Sequence, residues 1–360
     1  MKRLVSGIKP TGNIHLGNYL GAIKNWVELQ KEYECFFFIA DLHALTIEID
    51  PRDLKQQTHE LIIDLLALGI NPKKTTFFRQ SDIIGHAELG WIFNCLMPVA
   101  ELNRMTQFKD ESQKNINNIN AGLLTYPSLQ AADILIYKGD VVPVGKDQLQ
   151  HLELTRIAAR KFNNRYKRYF PEIKPILSPA QRLMSLNNSK KKMSKSLGPA
   201  SYIAIRDDEE TVTHKIKKAV TDEAGVKNLL ELYSYFGKKS KHQKMEKANA
   251  AGKLMNSELK EELTLEILKF LKPIQIKIAQ YEAMPQKVDK IIKNGPTEVK
   301  VISKITGYSA KFLYRELQDM QRQKLLIRIE SENPKKWQLH PEFQKLYESI
   351  FSNNSVSVKV

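Results

Sequence analysis

The chain has 360 residues, with 56 Lys and Arg against 40 Asp and Glu, which gives a formal net charge of +16. This length can hold two or three domains, and the excess of positive charge favours a polyanionic partner such as nucleic acid. The two cysteines, Cys35 and Cys95, lie far apart, which argues against a zinc ribbon or a disulfide framework and fits a reducing cytoplasm. The first residues are too quickly polar for a secretory signal, and no apolar run approaches the length of a membrane span.

Strand and helix signals alternate in the N-terminal part of the chain. Short apolar runs at 3–8, 35–40 and 75–81 predict strands, and the second is typical of a strand buried on both faces. Asp50, followed by a proline, predicts the start of a long helix that ends at Gly69. The alternation predicts an α/β fold with a doubly wound parallel sheet, whose ligands bind at the carboxyl ends of the strands.

Polar segments that contain glycine or histidine follow the predicted strands, at 6–18, at 41–46 and, after the apolar run 141–144, at 145–148. The GxGxxG and GxxxxGK[ST] fingerprints are both absent from the chain. A nucleotide bound at this sheet would therefore be held by a different binding motif.

From about residue 200 onward, helical signals dominate. We expect a Rossmann-like catalytic domain over 1–200, an α-helical domain over 201–295 and a C-terminal extension over 296–360. Within the extension, two predicted helices joined by a turn at Gly307 precede two strands that flank 330–334. This order predicts a small winged helix, with an ordinary helical hairpin as the alternative.

Four lysines and two serines surround Met193 in the segment 190–198, KKKMSKSLG. Such a charge run is usually a solvated loop, and the alternative is a mobile loop that binds an anion of high charge. Far upstream, His15 and Asn18 lie three residues apart where a glycine-containing loop meets a predicted helix. Both side chains could donate to one phosphate at that helix start, although such a histidine is more often only a capping group.

Gln130 and Asp133 share one face of an almost wholly apolar predicted helix. A carboxylate in such a helix is costly unless it is paired, so a structural partner is one explanation. The other is ligand binding, because an ionised Asp can only accept hydrogen bonds and suits a ligand that only donates.

These motifs resemble the signatures of the class I aminoacyl-tRNA synthetases. HLGN at 15–18 stands where that superfamily has its HIGH motif, with Asn18 replacing the final His, and KMSKS is present in full at 192–196. Together with SGIKPTGNIHLGNYLGA, ELNRMTQFK, LTYPSLQAADILIY and VPVGKDQLQHLELTR, they make the chain similar to the bacterial-type tryptophanyl-tRNA synthetases, densely over 1–222 and more thinly to 295. The resemblance implies ATP-dependent activation of tryptophan to tryptophanyl-adenylate and transfer to tRNA(Trp), by a cytoplasmic homodimer without a membrane anchor.

The resemblance also implies roles for individual residues. Lys192 and Lys195 would stabilise charge that develops toward the departing pyrophosphate, with His15 and Asn18 as further catalytic groups. The ATP-binding set is Lys9, Pro10, Thr11, Gly17, Asn18, Gly145, Lys146, Asp147, Leu183, Lys192, Met193, Ser194, Lys195 and Ser196. The tryptophan-binding set is Asp133, Gln130, His43 and Gln148, with Asp133 as the acceptor of the indole N–H. Mg²⁺ is expected on the phosphates of ATP, so no residue is assigned as a metal ligand.

Departures from the family pattern leave alternatives open. Gln130 stands where many tryptophan enzymes have Met, and Gln three residues before Asp is also the arrangement of tyrosyl relatives, so a tyrosyl-tRNA synthetase is one alternative. A nucleotidyltransferase with the same first loop is another, and a synthetase paralogue that regulates by binding nucleic acid is a third. The extension after 295 is atypical of the family, and the basic, aromatic segment 160–169 could contact RNA or be a solvated helix end.

Overall fold

The structure of the protein is a computed structural model that describes residues 1–109, 119–145, 148–177, 183–286 and 288, and two strands at 326–329 and 336–339. Its centre is a parallel sheet of five strands in the order β3-β2-β1-β4-β5, with helices packed on both faces. The predicted α/β fold with a Rossmann-like doubly wound sheet is therefore confirmed. The strands are β1 (Arg3–Ile8), β2 (Glu34–Ile39), β3 (Thr75–Arg79), β4 (Val141–Val144) and β5 (Lys174–Leu177).

The fifth strand is not predicted by the sequence. It is short, it contains Pro175 and it lies at the edge of the sheet, where a proline is tolerated because one side of the strand needs no ladder hydrogen bonds. At the other side of the sheet, β1, β2 and β3 end in register at Ile8, Ile39 and Arg79. The loops that follow these strands therefore begin at one common edge.

The long helix predicted between the second and third strands runs over Pro51–Leu68. The Asp50 side chain accepts a hydrogen bond from the Arg52 backbone N–H at 2.7 Å, and Gly69 ends the helix in the left-handed conformation with φ 115°. The helices in chain order are α1 (Leu16–Asn18), α2 (Lys24–Leu29), α3 (Asp41–Ala44), α4 (Pro51–Leu68), α5 (Gly85–Leu96), α6 (Val99–Asn103), α7 (Ala121–Leu135), α8 (Leu149–Arg165), α9 (Glu209–Lys218), α10 (Glu223–Phe236), α11 (Lys239–Ala250) and α12 (Asn256–Glu282). None of these described helices is both long and apolar enough to cross a membrane.

The first helix is less regular than the sequence suggests. A π-helical turn over Tyr19–Ile23 separates α1 from α2. Its buried side chains, Leu20 and Ile23, belong to the same hydrophobic cluster as Leu4 and Phe37 of the sheet. Local π-helical turns are often found at functional sites, and this one follows directly on the HLGN motif.

One hydrophobic cluster joins a face of the sheet to the C-terminal helices. It contains Phe37 of β2 together with Ile203, Leu263 of α12 and Ile278 of α12, so the predicted boundary at residue 200 lies within a shared core. The opposite face of the sheet carries a second, aromatic cluster that includes Phe36, Phe38, Phe78 and Tyr137. The division into domains over 1–200, 201–295 and 296–360 stays a prediction.

In the extension, β6 (Leu326–Ile329) and β7 (Lys336–Leu339) pair in antiparallel register, with Leu326 opposite Leu339. This confirms the two strands predicted around 330–334. The two helices of the predicted winged helix lie outside the described residues.

Candidate active site

His15 and Asn18 form a reciprocal cap at the start of α1. The His15 Nδ1 accepts a hydrogen bond from the Asn18 backbone N–H at 3.3 Å, and the Asn18 side-chain oxygen accepts one from the His15 backbone N–H at 3.2 Å. The capping role that the sequence allows for His15 is therefore present. A ligand role is compatible with it, since the cap uses only the acceptor end of each side chain.

His15 is neutral because of its surroundings. Burial, followed by the charges of Lys195 and Lys192, lowers the pKa of His15 to about 4. Because Nδ1 is the acceptor in the cap, the ring proton is on Nε2, and this nitrogen can donate to an anion. The same charges that keep His15 neutral make the site electropositive.

Lys195 of the KMSKS segment contacts the loop that follows β1. Its Nζ donates to the backbone oxygens of Thr11 at 2.5 Å and Gly12 at 2.9 Å. Burial lowers the pKa of Lys195 to about 8, although the carboxylate of Asp64 acts in the opposite direction. In this arrangement the ammonium is held by carbonyl oxygens, which a phosphate group could replace.

The KMSKS segment is attached to the body by its neighbours in the chain. Met193 is buried, its backbone N–H donates to the Leu183 oxygen at 2.9 Å, and Met184 and Lys192 form an isolated antiparallel bridge. The Ser201 hydroxyl lies 2.8 Å from the Ser194 oxygen and 2.7 Å from the Gly198 oxygen. The backbone of the segment is therefore a defined turn, while the side chains of Lys190, Lys191 and Lys192 are exposed, as in a solvated charge run.

The other predicted ATP-binding residues lie in the first loop, after β4 and in the KMSKS segment. In the first loop, Lys9 is exposed with its Nζ 5.8 Å from the centre of the Tyr126 ring, and Pro10 is buried. Gly145 follows β4, and its oxygen accepts from the Gln148 N–H at 3.1 Å. The side chain of Ser196 is exposed, and its Oγ lies 2.9 Å from that of Ser194. Lys146 and Asp147 lie outside the described residues.

A buried ion pair lies behind Lys195, and the sequence does not predict it. Asp64 of α4 is 2% exposed, and its Oδ1 accepts from Arg206 Nε at 2.8 Å. Arg206 Nη1 also donates to Glu282 at the end of α12, at 2.6 Å. Burial raises the pKa of Asp64 to about 6, and the charge of Arg206 offsets only part of this effect.

Asp133 is fully buried at the centre of a polar cluster. Its Oδ2 lies 2.7 Å from His43 Nε2, and its Oδ1 lies 2.7 Å from Gln80 Nε2 and 2.6 Å from His86 Nδ1. Burial by itself would raise the pKa of Asp133, but His43, and after it His86, hold this pKa at about 2. The carboxylate is therefore ionised and has structural partners, as the structural explanation of Asp133 requires.

Of the other predicted tryptophan-binding residues, His43 belongs to this cluster and Gln130 lies on the helix that carries Asp133. His43 is buried in α3, and Gln130 is half-buried one turn before Asp133 on α7. Gln148 immediately precedes α8 and is half-buried. A separate cavity of about 260 Å³ lies between α3, α5 and α7 and contacts Leu42, Trp91 and Tyr126, but none of the four predicted residues lines it.

The structure adds residues that sequence reasoning missed. Gln80 could have been found, since it follows β3 at the carboxyl edge of the sheet, where ligand-binding groups are expected. His86 and Tyr137 carry no such signal, because each lies within or just after a helix and reaches the site only through packing. Among the described residues, no group of three His, Cys, Asp or Glu side chains could hold a metal ion.

Comparison with known proteins identifies the family. The family model described as tRNA synthetases class I (W and Y) matches residues 1–272. A tryptophan–tRNA ligase of Wolinella succinogenes is 44% identical over 322 residues, covering 86% of this chain and 97% of the relative. The chain belongs to the class I tryptophanyl-tRNA synthetases.

Other tryptophanyl-tRNA synthetases agree with this assignment. A tryptophan–tRNA ligase of Caldanaerobacter subterraneus subsp. tengcongensis is 50% identical over 249 residues, covering 66% of this chain and 76% of the relative. The crystal structure of tryptophanyl-tRNA synthetase from Campylobacter jejuni complexed with ADP and tryptophan superimposes with a TM-score of 0.76 at 30% identity, covering 88% of this chain and 99% of that one. The family and fold that the sequence motifs predict are confirmed.

Proposed function

We propose that this protein is a tryptophan–tRNA ligase whose adenylation step takes place where Lys195 meets the first loop. The observation that carries the proposal is the meeting of two segments that are far apart in the chain, since Lys195 Nζ donates to the Thr11 and Gly12 oxygens. In agreement with this geometry, the charges of Lys195 and Lys192 add to the effect of burial in lowering the pKa of His15. These residues stand beside a loop that follows β1 at the carboxyl edge of the sheet, the usual position of a ligand site in such folds.

In the adenylation step, the tryptophan carboxylate attacks the α-phosphate of ATP, and negative charge builds on the departing pyrophosphate. Lys192, Lys195 and the His15 Nε2–H supply positive charge and a donor in a partly water-excluded site, where such groups stabilise a transition state strongly. Lys195 exchanges its carbonyl partners for phosphate oxygens as the segment closes. Mg²⁺, when bound to the phosphates, would neutralise further charge on the leaving group.

Asp133 is the proposed acceptor for the tryptophan side chain. The indole N–H is only a donor, and the ionised carboxylate is only an acceptor, so the pair discriminates against phenylalanine. Three structural partners do not use all of its acceptor positions, because each carboxylate oxygen has two. Gln130, one turn earlier on α7, is assigned to the same pocket.

ATP–pyrophosphate exchange, measured with each of the twenty amino acids, tests this function directly. Tryptophan-dependent exchange is the expected result. Tyrosine-dependent exchange would instead support the tyrosyl alternative, which the Gln130–Asp133 spacing favours but the curated relatives do not. If no amino acid supports exchange, the remaining alternative is a synthetase paralogue that regulates by binding nucleic acid.

Transfer to tRNA(Trp) requires an RNA-binding surface, and the net charge of +16 suits one. We assign anticodon binding to the helical domain over 201–295 and an auxiliary RNA contact to the extension over 296–360. Deletion of 297–360 should weaken tRNA binding and reduce its salt dependence, while leaving ATP–pyrophosphate exchange intact. An unchanged affinity and salt slope would exclude the RNA-binding role of the extension.

A homodimer is proposed on the strength of an exposed apolar surface. Leu45 (54% exposed), just after α3, and Trp91 (68% exposed), on α5, line the same cavity. Apolar side chains grouped in this way mark an interaction site.

The cysteines, both free, fit the proposed cytoplasmic location.

Sedimentation at micromolar concentration tests the dimer. Trp91→Glu should shift the protein to a monomer, because it places a charge in the proposed interface. Leu265→Glu changes a similarly exposed apolar residue on α12 and should leave the oligomeric state as it is.

A further inference from the structure

Beyond the predicted pocket residues, a chain of buried polar groups extends from Asp133 to Tyr137. His86 is fully buried and lies between them, with Nδ1 at 2.6 Å from Asp133 Oδ1 and Nε2 at 2.6 Å from the Tyr137 hydroxyl. Gln80, also fully buried, donates to Asp133 Oδ1 from its Nε2 at 2.7 Å. None of these three side chains belongs to the ATP site.

The ionised carboxylate fixes the direction of each hydrogen bond. Since Asp133 can only accept, His86 donates from Nδ1 and His43 donates from Nε2. Burial raises the pKa of Tyr137 well above its usual value, so its hydroxyl keeps its proton and can donate it to His86 Nε2, 2.6 Å away. The Gln80 oxygen is also engaged, because it accepts from the backbone N–H of Leu42 at 3.1 Å.

Counting acceptor positions shows what remains for a ligand. Asp133 Oδ1 receives hydrogen bonds from Gln80 and His86 and has both acceptor positions filled. Asp133 Oδ2 receives one hydrogen bond, from His43, and keeps one position free. Rotation of the carboxylate would break these contacts in a buried site where lost hydrogen bonds are costly.

We propose that Gln80, His86 and Tyr137 are positioning residues for Asp133. Gln80 and His86 occupy Asp133 Oδ1, Tyr137 holds His86, and the free acceptor position of Oδ2 is left for the indole N–H. Selection of tryptophan over substrates without this N–H therefore depends on side chains that do not touch the substrate. The inference rests on the proposed function, and it adds a specificity device to that same site.

The test compares tryptophan with the analogue in which sulfur replaces the indole nitrogen, and it measures the ratio of their kcat/KM values in ATP–pyrophosphate exchange. Tyr137→Phe removes one hydroxyl and keeps the ring, which stacks on Phe36 at 4.9 Å. We expect the ratio to fall about fivefold, the effect of losing one supporting hydrogen bond, through a higher KM for tryptophan with kcat little changed. The KM for ATP should stay constant.

A pair of His86 variants separates positioning from bulk packing. His86→Asn keeps a donor close to the position of Nδ1, whereas His86→Leu removes it. The inference requires His86→Asn to retain a higher ratio than His86→Leu, and equal ratios would overturn it.

Tyr233→Phe is the matched control, since Tyr233 is another tyrosine with a buried ring, in α10. It should leave the ratio unchanged. If Tyr137→Phe and His86→Leu lower kcat/KM for tryptophan and for the sulfur analogue by the same factor, the cluster is merely structural and the inference fails. Absence of tryptophan-dependent exchange in the unmodified protein would instead overturn the proposed function.

Discussion

At Gly17, the space that a side chain would occupy is taken by the His15 ring. A Cβ built there lies 2.9 Å from His15 Nδ1 and 3.5 Å from the Met193 sulfur. The glycine therefore lets the histidine fold back onto the backbone and form its cap, and lets the KMSKS segment approach from the other side.

Gly17→Ala should consequently displace His15 and lower the rate of tryptophan-dependent exchange on the order of 10²-fold, the effect of a small misplacement of a catalytic group. Stability should change little, since alanine is favourable in a helix. Gly21→Ala is the control, because beyond its chain neighbours and the backbone of its own helix no atom lies within 4 Å of its added Cβ. Equal activities of the two variants would contradict this role of Gly17.

The ionisation of Lys195 predicts a pH limit for the reaction. Its pKa is lowered to about 8 by burial, so the free enzyme loses this charge as the pH rises through 8. We expect kcat/KM for ATP, which reports on the free enzyme, to fall on the alkaline side with an apparent pKa about 8. His15, with its pKa lowered to about 4, stays neutral over this range and adds no change near pH 6.5.

Lys195→Arg provides the check, because a guanidinium does not lose its proton in this range. In this variant, kcat/KM for ATP should stay constant as the pH rises above 8, whatever its absolute value. The same alkaline limb in this variant would assign the titration to another group.

At the scale of the element, the KMSKS segment depends on a residue outside the motif. Ser201 is fully buried, and its hydroxyl lies within hydrogen-bond distance of two backbone oxygens of the turn, those of Ser194 and Gly198. One hydroxyl has one proton, so it donates to either oxygen in turn. This contact joins the turn to the segment that continues to Ile203. The Ile203 oxygen in turn accepts a hydrogen bond from the Leu16 N–H at the start of α1.

Ser201→Ala should therefore loosen the turn and reduce the exchange rate about fivefold, the equivalent of one net hydrogen bond of about 1 kcal/mol. Ser234→Ala removes a hydroxyl that donates to a backbone oxygen within α10 and should leave the rate unchanged. A Ser201→Ala enzyme with full activity would show that the turn keeps its geometry without this contact.

At the scale of the whole molecule, Arg206 joins the Rossmann-like part to the last long helix. It bridges the buried Asp64 of α4 and Glu282 of α12. In the folded state the pKa of Asp64 is raised to about 6, so its contribution to stability is fully present below pH 4 and is lost as the pH rises through 6. Arg206 limits this loss by pairing with the ionised form.

Arg206→Ala should lower the free energy of unfolding by about 3–5 kcal/mol at pH 7, because it leaves a buried carboxylate without its cation. The loss should be smaller at pH 5, where Asp64 can be protonated. Urea unfolding at both pH values measures the difference. Arg52→Ala removes an exposed partner of Asp50 and should change the free energy of unfolding little at either pH. An equally small change for Arg206→Ala would contradict the argument.

Local patterns in the sequence determined much of the fold and part of the site. The apolar runs of β1, β2 and β3, the cap at Asp50 and the left-handed Gly69 depend on near neighbours in the chain, and all are found as predicted. The motifs around His15 and Lys195 were visible for the same reason, since each is a contiguous stretch of unusual composition.

Only the tertiary structure decided how these pieces meet. Packing on the sheet brings together residues that are far apart in the chain. The resulting contacts join Lys195 to Thr11, Asp64 to Arg206, and Tyr137 to Asp133 through His86. No single stretch carries a signal for such a contact, because each side chain is ordinary in its own helix or loop. The sequence could therefore indicate the proposed reacting groups, while the burial and hydrogen bonds that set their charges depended on the folded core.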